Sequence, residues 1–163
     1  MLLFFFFTTL FSVTFDLSIT DSHVNEVAVL NITIHQDHPD EYIYKTNTTA
    51  SNVFPTKINI TSNIVKQTGQ IIEPNTLLKD GSRLTIPLKL NEGLKYGKYP
   101  SEVSIQYQVC TPTLCYLPET QTMPFTISIT KGDLRDEFSE KNFYFPKGNI
   151  LDITNQDIQS FLI

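Results

Sequence analysis

Apolar and polar residues alternate with a period of two through most of the segment between residues 27 and 130. One run places Val103, Ile105, Tyr107 and Val109 between polar residues. This period gives a strand one apolar and one polar face, and turn signals rich in Pro, Asp and Gly separate the runs. No helical period of comparable strength occurs in the segment. The pattern therefore predicts an all-β fold, an antiparallel β-sandwich.

The first part of the chain differs from this pattern. Residues 2–11 form an uncharged, apolar run that is too short to span a bilayer but has the length of a signal h-region. We therefore expect residues 1–20 to be an export segment, which would place the protein in an oxidising, extracytoplasmic compartment. The alternative for the run is a buried N-terminal strand. Residues 21–130 are then the predicted β domain.

The last part, residues 131–163, is predicted to be a tail. Residues 131–141 are highly charged and have no strand period. A cap-like run of polar residues at 154–157 precedes apolar residues and indicates a short helix at the end of the chain. The tail either docks on the sandwich or leads into a further domain.

The chain contains two cysteines, Cys110 and Cys115, and only four residues separate them. A disulfide across so short a loop stabilises a fold by about 2 kcal/mol, less than one that joins distant strands. Strained or exposed disulfides are the ones that open in thiol–disulfide exchange. If the strand that carries Val109 continues one step, Cys110 points away from the core, and Thr111-Pro112 ends the strand. We therefore expect an accessible hairpin-like turn whose disulfide opens and closes.

The residues around the cysteines resemble a known family. The most specific part is the motif Tyr107-Gln108-x-Cys110 followed by Cys115-Tyr116-x-Pro118-Glu119-Thr120. It is similar to the motif of the N-terminal periplasmic domain of the bacterial thiol:disulfide interchange protein DsbD. Two further stretches agree, Arg83-Leu84-Thr85-Ile86-Pro87 and Tyr42-Ile43-Tyr44-Lys45. The resemblance covers roughly residues 25–130 and implies an immunoglobulin-like sandwich.

The resemblance also implies a function, that of a protein-disulfide reductase component without a metal or organic cofactor. A membrane-embedded reductase domain would reduce the cysteine pair. The pair would then reduce thioredoxin-like periplasmic proteins, such as disulfide isomerases or cytochrome c maturation factors. Cys115 would form the mixed disulfide with a partner, and Cys110 would resolve it. The aromatic residues expected to flank the site are Tyr42, Tyr44, Tyr107 and Tyr116.

The chain departs from the family in two ways. The loop between the cysteines is one residue shorter than in the best-studied members. Those members also shield the cysteines with an aromatic cap loop, whereas residues 69–80 of this chain contain no aromatic residue. Leu77 or Leu78 is expected to form the cap instead. An aliphatic cap covers less area, so we expect the pair to be less shielded.

A second class of protein stays open. The chain could be a secreted immunoglobulin-like binding or adhesion module whose disulfide only holds a loop. The redox potential separates the two readings, because structural disulfides lie below about −300 mV. Other classes find less support, since the net charge of −5 argues against a nucleic-acid partner. The pair His35 and His38 is expected to mark a surface turn rather than a metal site, because no cysteine or third histidine is near in sequence and Pro39 follows directly.

Overall fold

The computed structural model describes residues 12–143. This part contains ten β-strands and two short 3₁₀ turns. The strands are β1 (Val13–Ile19), β2 (Ser22–His23), β3 (Val27–Gln36), β4 (Tyr42–Ile43), β5 (Lys57–Thr61), β6 (Val65–Gln67), β7 (Arg83–Leu90), β8 (Gly97–Tyr107), β9 (Val109–Cys110) and β10 (Glu119–Thr130). The 3₁₀ turns are Asp136–Phe138 and Glu140–Asn142. Within residues 12–143, no helix is long and apolar enough to cross a bilayer.

Two four-stranded sheets form the body of the domain. The first has the order β1-β3-β7-β6, and all its neighbouring strands are antiparallel. The second has the order β2-β10-β8-β5 and is antiparallel except for the short parallel pair of β2 and β10. A small antiparallel sheet of β4 and β9 lies beyond the end of β8. The predicted immunoglobulin-like β-sandwich is thereby confirmed.

The apolar faces of the two sheets share one hydrophobic core. Leu30, Ile32 and Ile34 of β3 are fully buried, and so are Val103 and Ile105 of β8. These positions are the ones that the period-two alternation predicts to face inward. Each such side chain contributes roughly 1.5–3 kcal/mol when it is buried. A slip of one residue would expose all of them, so the core holds the strand register.

The domain begins before residue 21, which is the predicted boundary. β1 pairs with β3 along its whole length of seven residues. Val13 is fully buried, and the ring of Phe15 packs edge-on against Tyr107 with the ring centroids 5.1 Å apart. The boundary is therefore wrong, because the residues just before it supply an edge strand and part of the core. The predicted apolar export run at 2–11 lies outside the described residues.

An ion pair with a buried carboxylate joins the chain after β10 to the start of β3. The guanidinium of Arg135 donates to both carboxylate oxygens of Glu26, at 3.0 and 2.7 Å, and the backbone N–H of Arg135 donates at 2.8 Å. The Glu26 side chain is fully buried. Burial alone would raise the pKa of Glu26, but the hydrogen bonds from Arg135 and from the backbone N–H of His23 outweigh it and lower the pKa to about 2.

The first part of the predicted tail therefore docks on the sandwich. Arg135 also donates to the carbonyl oxygen of Asp21 at 2.7 Å. Nδ1 of His23 donates to the carbonyl oxygen of Asp133 at 2.7 Å. These bonds hold the chain that follows β10 against the end of the domain where β2 lies. The helix predicted near residues 154–162 lies outside the described residues.

Candidate functional site

Cys110 and Cys115 form a disulfide across a tight hairpin. Their Cα atoms lie 4.0 Å apart, and the two residues are partners in an antiparallel bridge. The backbone N–H of Thr111 donates to the carbonyl oxygen of Leu114 at 2.7 Å, which closes the turn. The hydroxyl of Thr111 accepts the N–H of Leu114 at 3.2 Å. The backbone therefore holds the loop in shape by hydrogen bonds that do not depend on the disulfide.

The two cysteines differ sharply in exposure. Cys110 is fully buried, whereas Cys115 is exposed. In the backbone ladder Cys110 lies between Tyr42 of β4 and Cys115. The prediction that Cys110 is accessible is therefore wrong, because its side chain is buried although the turn that follows it is exposed. Of the two cysteines, Cys115 is the one exposed to solvent.

Tyr42 lies next to Cys110, and Tyr44 contacts Tyr42. Tyr42 pairs with Cys110 in the backbone ladder, and its hydroxyl donates to the carbonyl oxygen of Thr111 at 3.4 Å. The rings of the two tyrosines meet edge to face, with centroids 5.6 Å apart. The hydrogen bond with Tyr44 raises the pKa of Tyr42, and burial adds to this effect. The Tyr42 phenol is therefore a neutral donor that ties β4 to the cysteine loop.

The other two predicted flanking aromatics have different surroundings. Tyr107 is fully buried, and its hydroxyl donates to Glu119 at 3.1 Å and accepts a hydrogen bond from Gln121. Burial raises the pKa of Tyr107 well above its ordinary value. Tyr107 is thus a core residue that joins β8 to β10 at the base of the hairpin. Tyr116 directly follows Cys115 and is 48% exposed, so it borders the site.

The two leucines expected to cap the site have opposite positions. Leu78 is fully buried, and its backbone N–H and C=O pair with those of Ile43 at 3.0 and 2.9 Å. It adds one bridge to the small sheet and belongs to the hydrophobic core. Leu77 is 38% exposed. The antiparallel bridge between Ile43 and Leu78 places Leu77 at the register position opposite Tyr44, which keeps it as the candidate cap.

An exposed apolar patch surrounds the accessible sulfur. Besides Tyr116, Leu114 is 57% exposed and Leu117 is 84% exposed. The alternation pattern does not single out these two leucines, although the sequence carries another signal for them. Both lie in a Pro- and Thr-rich loop without strand period, where an apolar residue has no core to enter. Clustered exposed apolar residues are typical of surfaces that contact other proteins.

Nothing at this site resembles a metal centre. Among the residues that the structure describes, no group of three or more His, Cys, Asp or Glu side chains could hold a metal ion. His35 is hydrogen-bonded to Asp16 at 3.0 Å on the exposed surface of the first sheet. His38 is exposed and lies in the turn before β4. The histidine pair predicted to mark a surface turn is thus divided between the end of a strand and a turn.

Comparisons with known proteins give one likeness. No family model matches the chain, and no curated protein matches it. Among solved structures, the chain is similar to the crystal structure of the Neisseria meningitidis DsbD N-terminal domain in the reduced form. The two are 14% identical, and the match covers 70% of this chain and 84% of that chain with a TM-score of 0.35. A likeness of this size assigns neither a family nor an activity to the chain.

Proposed function

We propose that this chain is an exported thiol–disulfide exchange protein that works through Cys115 and Cys110. The observation that carries the proposal is a contrast within one short hairpin, where an exposed Cys115 is bonded to a buried Cys110. Exchange requires that an attacking thiolate reach one sulfur while the other is displaced. The contrast in exposure supports Cys115 as the sulfur that meets the partner and Cys110 as the sulfur that resolves the intermediate.

The reaction proceeds in two displacements. In the reduced domain, the Cys115 thiolate attacks a partner disulfide, one partner sulfur leaves and takes up a proton, and a mixed disulfide forms. The Cys110 thiolate then attacks the sulfur of Cys115, which re-forms the internal disulfide and releases the second partner sulfur. Two electrons and two protons pass from the domain to its partner, so no metal or organic cofactor is required. The short loop keeps the resolving cysteine at a high effective concentration.

The cycle needs an electron donor and an acceptor. On the sequence resemblance, we take the donor to be a membrane-embedded reductase domain and the acceptors to be thioredoxin-like proteins. This arrangement belongs in an extracytoplasmic compartment such as the periplasm, where disulfides persist. The exposed side chains of Leu114, Tyr116 and Leu117 support docking against an apolar surface of such a partner.

The redox potential tests the proposal. The oxidised and reduced forms are equilibrated in glutathione buffers of known potential, quenched with an alkylating reagent and counted by mass spectrometry. We expect a midpoint above about −300 mV, the range of labile disulfides. A midpoint below that value would overturn the proposal. It would favour the alternative, a secreted binding module that uses the exposed apolar loop for docking and the disulfide only to hold that loop.

Single serine variants test the roles of the two sulfurs. Cys110→Ser leaves the exposed Cys115 without its resolving partner, so a mixed disulfide with a thioredoxin-like protein should accumulate on a non-reducing gel. Cys115→Ser is the matched control and should trap none, because the remaining sulfur is buried. Complexes trapped through Cys110 instead would reverse the two roles.

A further inference from the structure

A cavity of about 270 Å³ lies beside the cysteine hairpin. Its walls are formed by Ser12, His38, Glu41, Val109, Tyr116 and Glu119. Four of these side chains are titratable, two of them are carboxylates, and none is a lysine or an arginine. Tyr116 is shared with the exposed patch around Cys115, so the cavity and the accessible sulfur border the same residue. The space far exceeds the roughly 30 Å³ that one water molecule occupies in the liquid.

The polar groups of this cavity are fixed by the fold. Glu41 is only 4% exposed, because the turn that precedes β4 holds it, with its N–H donating to the carbonyl oxygen of His38 at 3.2 Å. Glu119 is the first residue of β10, and one of its oxygens accepts the hydroxyl of Tyr107. Tyr107 therefore restrains the Glu119 carboxylate, and the backbone turn places Glu41 at the cavity wall.

Glu41 has a buried carboxylate oxygen without a hydrogen-bond partner among the described residues. Its Oε2 atom is buried, and no described residue donates a hydrogen bond to it. Buried polar atoms in folded proteins are almost always partnered, and an unpartnered carboxylate oxygen is costly. A group that only donates hydrogen bonds and carries positive charge satisfies such an atom best. The chain's own described cations leave this position open.

We propose that the cavity binds a lysine or arginine side chain of the protein that exchanges disulfides with Cys115. The partner's identity as an exchange protein rests on the proposed function, whereas the cationic site rests on Glu41, Glu119 and the cavity. A cation placed there would orient the partner's sulfur toward Cys115, because Tyr116 lines the cavity and directly follows Cys115 in the chain. Electrostatic contacts of this kind select partners and speed their encounter.

Binding is tested first without any redox step. N-acetyl-arginine amide is titrated into the oxidised protein, and backbone NMR shifts are followed at Glu41, Val109 and Tyr116. N-acetyl-citrulline amide, which has the same shape but no charge, is the matched ligand. We expect the arginine compound to bind at least about tenfold more tightly, as a charged hydrogen bond predicts. Equal binding of the two compounds would overturn the cationic site, whatever the redox function.

Variants locate the site. Glu41→Gln keeps the shape of the side chain, removes its charge and should weaken the arginine compound about tenfold. Glu102→Gln changes an exposed glutamate of β8 and is the matched control, which should bind as the wild type does. If Glu41→Gln does not fold, the comparison of the arginine and citrulline compounds on the wild-type protein still tests the cationic site. Unchanged binding by folded Glu41→Gln would contradict the placement of the cation.

The link to exchange is tested with two thiol peptides, Cys-Gly-Arg amide and Cys-Gly-citrulline amide. A peptide thiolate attacks Cys115, the bond to Cys110 breaks, and a second peptide thiol releases a peptide disulfide and the reduced protein. We expect the arginyl peptide to react severalfold faster with the wild type and with Glu102→Gln, and the difference to vanish in Glu41→Gln. Equal rates on the wild type would overturn the link to the exchange partner. A redox potential in the range of structural disulfides would instead overturn the proposed function, and the binding result would still be interpretable.

Discussion

The buried carboxylate of Glu26 should make the stability of this protein depend on acid in a predictable way. Its pKa falls from an ordinary value of 4.5 to about 2 in the folded protein. A group with a lowered folded pKa binds protons more readily in the unfolded chain. It therefore stabilises the fold fully above the unfolded pKa, and this contribution is lost as the pH falls from about 4.5 through about 2.

The size of the effect follows from the shift. A change from 4.5 to about 2 corresponds to about 3 kcal/mol, at roughly 1.4 kcal/mol for each pKa unit. Integration of the linkage relation gives a loss of about 2 kcal/mol between pH 7 and pH 3 from this one residue. The side chain of Arg135 is 35% exposed, so solvent weakens its interaction and this value is an upper bound.

The measurement compares the wild type with Glu26→Gln by urea denaturation at pH 7 and pH 3. Other carboxylates titrate in both proteins, so the quantity of interest is the difference between the two losses. We expect the wild type to lose up to about 2 kcal/mol more than the variant. Glu102→Gln, which removes an exposed carboxylate, should behave as the wild type does. Equal losses for the wild type and Glu26→Gln would refute the assignment of a strongly lowered pKa to Glu26.

Two further predictions concern Leu77 and Leu78. Leu78→Ala should lower the free energy of unfolding by about 2–5 kcal/mol because it leaves a cavity. Leu77→Ala should lower it by less than about 1 kcal/mol. Urea denaturation measures both, and equal losses would contradict the difference in burial. Leu77→Phe should slow reduction of the disulfide by dithiothreitol severalfold, since it adds an aromatic ring opposite Tyr44. An unchanged rate, measured by alkylation and mass spectrometry, would mean that residue 77 does not cover the sulfur.

The strands of the sandwich could be predicted because their signal is local. The strands β3, β7, β8 and β10 each carry their own alternation, and most of the apolar positions it marks are buried in the core. β1 carries the same signal, since Val13, Phe15 and Leu17 alternate with Thr14 and Asp16. The apolar run before β1 favours an export segment. The predicted segment, residues 1–20, overlaps this strand.

The burial of Cys110 could not be predicted in this way. Strand parity sets the face on which a side chain lies, but it does not say whether that face is covered. The small sheet in which Cys110 lies forms with Tyr42, which is 68 residues away in the sequence. The roles of Leu77 and Leu78 depend on a similar distant partner, because only the bridge to Ile43 decides which leucine enters the core.

The proposed exchange function requires that the fold persist in both redox states, and the structure of the hairpin is consistent with this requirement. Opening the disulfide removes only about 2 kcal/mol of chain-entropy stabilisation, a modest part of the 5–15 kcal/mol typical of a domain. The turn hydrogen bonds of Thr111 and the pairing of Tyr42 with Cys110 do not pass through sulfur. The Glu26–Arg135 pair lies at the far end of β10, whose 12 residues extend over about 40 Å. At that distance the contributions of the ion pair and of the hairpin to the free energy of unfolding are additive. Reduction of the disulfide therefore leaves the Glu26–Arg135 ion pair intact.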